Sequence, residues 1–358
     1  MASRLIGLLL AALLAQISGA HAETSSWTYR SEETPPASAK SVPKKQVKSQ
    51  DATSTHYKQQ VPGPQIKDAG PELKATGEDA YLAFDQGKYL TALKLAEAAA
   101  AKGDAAAHTL IGRIYSEGHG VRQDHQVAAQ WYTRGAELGD VNAMFAIGLM
   151  LAEGRGVEKD RAAAAVMFEK AAQKGHPEAN YNLGLLFLKG EGKPENPYRA
   201  AQHIAYAARQ GVAAAQYDLS ALYKTGTGVE ADAYEAAQWI ARAAAQGMAA
   251  AQYDYSIMLL SGYGLNKDEP KAIEMLKAAA EKGIPGAQNR MAYVYRDGVT
   301  VPKSQTEMAK WRYIAKASGF EDKAMDEAVA KLPAKVRNEA ERAAIEWRER
   351  SEVSIPPS

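Results

Sequence analysis

The chain has 358 residues, more than one average core organises, so two domains or a repeat array is expected. Its 43 Lys and Arg against 42 Asp and Glu leave a net charge of +1, which removes the electrostatic case for bulk nucleic-acid or membrane-surface binding. Cysteine is absent, which excludes disulfides, thiol catalysis, thiolate metal sites and a lipid-anchored cysteine.

Residues 1–22 have the three-part build of a secretory signal. Arg4 supplies the positive start, Leu5 to Ile17 the apolar run, and Ala20-His21-Ala22 a small-x-small cleavage site. The run is too short for the roughly 20 residues that span a bilayer. Cleavage after Ala22 removes Arg4 and leaves the mature chain neutral, in the periplasm or outside the cell. Residues 23–73 are rich in Pro, Ser, Lys and Gln and poor in aliphatics, and so read as a disordered linker. Lys44, Lys45 and Lys48 lie there as a solvated basic cluster. Residues 74–103 keep the pattern of the units that follow and read as an N-terminal capping hairpin.

From 104 to 319 the sequence repeats six times with a period of 36 and no insertion. Gly103, Gly139, Gly175, Gly211, Gly247, Gly283 and Gly319 mark the unit ends. Gly118, Gly154, Gly190, Gly226, Gly262 and Gly298 mark the loops, and Ala107 starts an Ala column of the same period. In the first unit Ala107, Ile111, Ile114 and Tyr115 share one face of a helix A over Ala105 to Glu117. Gly118-His119-Gly120-Val121 turns the chain, with left-handed glycines ending the helix. Asp124 stands at an N-cap, as do Asp160, Asn196, Asp232, Asp268 and Ser304 in later units. Helix B carries Ala128, Trp131, Tyr132 and Ala136 on one face. Small residues recur mid-helix at Gly112, Gly148, Gly184, Ser220, Ser256 and Ala292, which predicts close approach between helices. One hairpin cannot bury its apolar face alone, so the units must stack, giving an all-α, right-handed superhelical solenoid of helical hairpins. Residues 320–358 read as capping helices over 321–331 and 334–350 with a tail.

The pattern resembles the Sel1-like repeat family, a relative of the tetratricopeptide repeat. The residues that carry it include Ala179, Tyr181, Leu183-Gly184, Phe187 and Gly190-Glu191-Gly192. Gly226-Thr227-Gly228-Val229, Asp232, Ala236, Trp239, Ala243-Ala244 and Gly247 carry it also. The third unit departs with Lys193-Pro194 and the sixth with Thr300 in place of the second loop glycine, which is expected to reshape that loop. The resemblance implies an adaptor in signalling, protein quality control or host interaction. It extends by analogy to secreted, ExoR-like periplasmic regulators that restrain a sensor kinase.

In hairpin stacks of this kind helix A lines the concave side. The column at 109 reads Thr109, Phe145, Tyr181, Tyr217, Tyr253 and Asn289. The column at 113 contributes Tyr293, and the column at 116 adds Lys224 and Arg296. This aromatic ladder with basic neighbours is the expected binding face for a protein or peptide, presented by a monomer. Packing between adjacent helices is an equally available role for the tyrosines. No catalytic residue, metal or cofactor is expected. His119 and His125 flank one loop beside Asp124 but recur in no other unit and read as solvated. Ser41-Val42-Pro43-Lys44 holds a Pro within the linker and lacks the buried helix that such a nucleophile motif opens. Alternatives left open are an enzyme acting on peptidoglycan or a β-lactam, and a carbohydrate-binding module.

Overall fold

A computed structural model describes residues 76–353. The signal segment, the linker and the Ser41–Lys44 motif lie outside them. The described residues form sixteen α-helices and no strand. The fold is an all-α solenoid of consecutive helical hairpins, as the periodicity predicts. No helix among the described residues is long and apolar enough to cross a membrane. The chain divides into two compact units that part within one helix, between Ala215 and Gln216.

The first unit holds α1 (Gly77–Asp85), α2 (Tyr89–Ala100), α3 (Ala105–Glu117), α4 (His125–Glu137), α5 (Val141–Glu153), α6 (Arg161–Gln173), α7 (Pro177–Lys189), α8 (Pro197–Arg209) and the start of α9 (Ala213–Thr225). Helix A of the first repeat falls on the residues the pattern assigns to it. Most starts carry a side-chain cap, α2 being without one. Asp104, Asp124, Asp140, Asp160 and Asn196 accept hydrogen bonds from backbone N–H groups of their own first turns, offsetting donors the helix leaves free. Asp104 also accepts from the Gly77 N–H at 3.0 Å, tying α1 to α3. Each hairpin then closes with one long-range backbone bond. The Asp124 N–H donates to the Tyr115 carbonyl, Asp160 to Leu151 and Asn196 to Phe187.

The small column predicted between paired helices meets large residues. A Cβ on Gly112 would lie 2.8 Å from the Tyr132 ring, on Gly148 2.7 Å from Phe168, and on Gly184 2.7 Å from Ile204. The cost of a mid-helix glycine, on the order of 1 kcal/mol, is offset by this contact.

Successive hairpins rest on one another through the loops. The second loop glycine leaves no room for a side chain: a Cβ on Gly156 would strike the His125 carbonyl, and one on Gly192 the Arg161 carbonyl. Beside this contact the loop residue engages the preceding helix B. His119 stacks on Tyr89 at 4.5 Å, and Arg161 pairs with Glu191 at 3.0 Å.

The second unit holds the rest of α9, then α10 (Ala233–Ala245), α11 (Ala249–Ser261), α12 (Glu269–Glu281), α13 (Pro285–Asp297), α14 (Gln305–Ala317), α15 (Lys323–Ala330) and α16 (Ala334–Val353). The same devices recur. Asp232, Asp268 and Ser304 cap helices, and their N–H groups return to the Tyr223, Leu259 and Tyr295 carbonyls. Ser220 replaces the small glycine and donates to the Ala236 carbonyl at 2.8 Å. Thr300 does not reshape its loop. It adopts the left-handed backbone itself, φ 58°, close to the 70° of Gly264 one repeat earlier. The fold demands that conformation even where the residue is not glycine.

The C-terminal helices close the core. Met325, Val329, Ala340, Ala344 and Trp347 join Trp311 in one buried cluster. α15 starts at Lys323, because Asp322 caps it by accepting from the Met325 N–H at 2.9 Å. Arg312 is 1% exposed and sits at the joint. It donates to both Asp326 oxygens at 2.7 and 3.1 Å, and to Asn289 and the Phe320 carbonyl at 3.0 Å each. On α16, the Trp347 indole donates to Glu281 at 2.6 Å.

Candidate functional site

The helix A face is built from one column per repeat. In the first unit that column works largely as a joint. The Thr109 hydroxyl donates at 2.8 Å to Asp140, the cap of the next helix A. Phe145 stacks at 4.5 Å on His176, which caps α7. Tyr181 is only 8% exposed. Leu185 beside it is buried too, while Arg113 is exposed, pairs with Glu117 at 3.1 Å and lies over the Phe84 ring at 4.7 Å.

In the second unit the rings stand half-buried, each reaching the next helix. The Tyr217 hydroxyl on α9 donates to Asp254 Oδ2 on α11 at 2.7 Å. Burial first, then the Asp254 charge, pushes its phenol well above the ordinary tyrosine range. Tyr253 seats its hydroxyl against Gly286 on α13, where a Cβ would lie 2.9 Å away. The Tyr293 hydroxyl donates to Asp322 Oδ2 at 2.9 Å, and Asn289 donates to the same oxygen at 2.7 Å. Burial and this bond push the Tyr293 phenol up to about 12. Burial works to raise the Asp322 carboxyl, but bonds from Asn289, the Met325 N–H and Tyr293 outweigh it and hold the carboxyl below its ordinary value. Arg296 lies over the Tyr293 ring at 4.5 Å and grips Asp297 through two bonds of 2.7 and 3.0 Å. Lys224 and Arg296 are exposed near the ends of α9 and α13.

Chemically, phenols raised in this way are neutral near pH 7 and act as hydrogen-bond donors, not as bases or nucleophiles. The face offers pinned aromatic rings between fixed carboxylates, flanked by exposed cations. Asp254 and Asp322 were not singled out from the sequence. The legible signal is that Asp254 follows Tyr217 by one period plus one residue, which places both on one side of neighbouring helices.

The histidines take other roles. His119 keeps part of its exposure to solvent but has partners: it stacks on Tyr89 and bonds Glu117 at 2.7 Å. Among the described residues no group of three or more His, Asp or Glu is placed to hold a metal ion.

A model of the Sel1 repeat matches residues 105–140, 141–176, 177–212, 213–248, 249–284 and 285–311, more than half of the chain. The chain belongs to the Sel1 repeat family. Sel1 repeat proteins are generally protein-interaction scaffolds. This chain is similar to the Sel1 repeat protein from Oxalobacter formigenes, at 31% identity and TM-score 0.62, over 68% of this chain and 100% of that one. It is also similar to a protective antigen of uropathogenic Escherichia coli strains displaying an SLR fold, at 26% identity and TM-score 0.63. That match covers 77% of this chain and 61% of the antigen, so this Sel1 repeat protein spans less than two thirds of the antigen's length. No curated protein matches the sequence.

Proposed function

We propose that the protein is a periplasmic or secreted scaffold that holds a protein or peptide partner on its concave, helix A side, regulating a signalling or envelope protein. The observation that carries this is the pinning of Tyr217 and Tyr293. Their hydroxyls are held by Asp254 and Asp322, so the rings present apolar surface without losing further rotamer freedom on binding. Tyr253 extends the apolar surface, while Lys224 and Arg296 supply exposed charge for an acidic rim. Tyr181 lies deeper and contributes by supporting its own helix. The seat in the envelope rests on the build of residues 1–22, with Glu23 as the first mature residue.

The test is a crosslinking pull-down from the periplasm with the full mature chain as bait. One partner should be captured, and the Lys224→Glu, Arg296→Glu double variant should lose it while keeping its unfolding midpoint. Unchanged capture by the folded variant refutes the face. No hydrolysis of peptidoglycan or of a chromogenic lactam is expected.

A further inference from the structure

Twice in the first unit the loop residue thirty positions after the start of a helix B finds a partner there: His119 stacks on Tyr89, and Glu191 pairs with Arg161, while Arg155 turns to Glu153 of its own hairpin. The corresponding pair in the second unit is Ala233 and Tyr263. The loop is seated in the same way, since a Cβ on Gly264 would strike the Ala233 carbonyl and lie 3.0 Å from the Tyr234 nitrogen. The alanine methyl, however, offers a loop tyrosine neither charge nor ring. Tyr263 is left 39% exposed, and next to it in space Tyr234, on the first turn of α10, is 61% exposed. Among the described residues neither ring has a hydrogen bond or ring contact.

A shallow cleft of about 410 Å³ runs between α10 and the start of α12. Its polar lining includes Gln238, Asn266, Lys267, Asp268, Glu269 and Lys271. Two amides, two ammonium groups and two carboxylates give donors and acceptors in balance with no net charge. Asp268 spends one oxygen on the Lys271 N–H at 3.0 Å, its capping bond.

We propose that this edge is a second binding site, specific for a neutral oligosaccharide. A pyranose ring has one C–H face that packs on an aromatic ring and a rim of hydroxyls, each both donor and acceptor. Tyr234 lies one turn before Ala237 and Gln238 on α10 and Tyr263 two residues before Leu265, so both exposed tyrosines border the lining of a charge-balanced, amide-bearing cleft, and together they match both features. A charged ligand would meet an equal number of opposed and matching groups there, and a purely apolar one would strand the amides and carboxylates without partners. The site is separate from the helix A face, so it adds a glycan anchor to a scaffold whose partner is bound elsewhere.

The test is isothermal titration of the full chain with chitohexaose, cellohexaose and maltohexaose, and with a synthetic proline-rich peptide as the competing class. At least one hexasaccharide should bind saturably. Tyr234→Ala with Tyr263→Ala should weaken it by about tenfold or more, the contribution of two stacked rings. Tyr234→Phe with Tyr263→Phe should retain most of the affinity and the thermal midpoint, and Tyr234→Ala alone, at the more exposed ring, should weaken binding with the midpoint unchanged. The Lys224→Glu, Arg296→Glu variant should bind sugar as the parent does, which separates this site from the partner face. Absence of saturable binding by all three sugars, equal affinity in the double alanine variant, or binding of the peptide alone overturns the proposal.

Discussion

Substituting Gly264 by alanine measures how firmly one repeat rests on the one before it. Two penalties combine. Gly264 has φ 70°, a left-handed backbone that costs an L-residue about 1 to 2 kcal/mol. The added Cβ would also strike the Ala233 carbonyl, which belongs to backbone and cannot swing aside, and such overpacking costs about 1 to 3 kcal/mol. The expected loss is therefore about 2 to 5 kcal/mol. Gly283→Ala isolates the first penalty, because Gly283 has φ 88° but nothing within 4 Å of its would-be Cβ. Thr300→Gly runs the comparison in reverse: it relieves a non-glycine residue held at φ 58° and should stabilise by about 1 kcal/mol. Urea unfolding followed by far-ultraviolet circular dichroism ranks the three. A Gly264→Ala variant no less stable than Gly283→Ala would show that the loop does not bear on the preceding helix, and the stacking argument would fail.

Other outcomes follow from the same geometry. Tyr217→Phe should lose about 1 kcal/mol with the bond to Asp254, measured by urea unfolding, and Asp254→Asn should lose less than Tyr217→Ala. Arg312→Met should cost about 3 kcal/mol by leaving the Asn289 amide oxygen and the Phe320 carbonyl without their donor and Asp326 with Lys316 alone, with hydrogen exchange rising first in α15. Burial, the largest influence on each, lowers the pKa of His108, His176 and His203. Their unfolded forms therefore take up protons more readily, so stability is full above pH 6.5 and falls as pH drops through and below that value. The urea midpoint should decline from pH 7.5 to pH 5, and a His108→Gln, His203→Gln variant should show a shallower decline. An unchanged slope counts against the buried histidines as the cause.

Much of this architecture is written in the residues because its causes are local and repeated. An Asp column caps helices wherever it stands, and the small column at Gly112 is readable because only close packing accounts for a glycine in mid-helix six residues before a loop. Features that depend on a partner in the next hairpin were harder to read. The role of the tyrosines stayed open in the sequence because the hydroxyl of Tyr217 finds its acceptor one repeat later. Arg312 carries no mark in the repeat pattern, and only the fold of α15 over it explains its burial. The partner of His119 was not legible because Tyr89 lies thirty residues earlier in the cap. Thr300 misled in the opposite direction: the substitution suggested a new loop, whereas the surrounding stack imposes the old one.

The seating of each loop glycine on the preceding helix gives the structure a direction in time. Gly156 needs the carbonyl of His125, Gly192 that of Arg161, and Gly264 that of Ala233, always a residue made earlier. A ribosome extends the chain from the N-terminus, so each hairpin emerges when its floor is already laid. Within a unit the loops are thus laid by template, while joints such as Tyr217 to Asp254 and Arg312 to Asp326 close only once the later residue has been made. A deletion from the C-terminal side leaves every earlier loop on its floor and uncovers only the hairpin it had closed, such as Trp311 and Arg312 under the last helices, whereas one from the N-terminal side takes away the foundation on which the next loop was set.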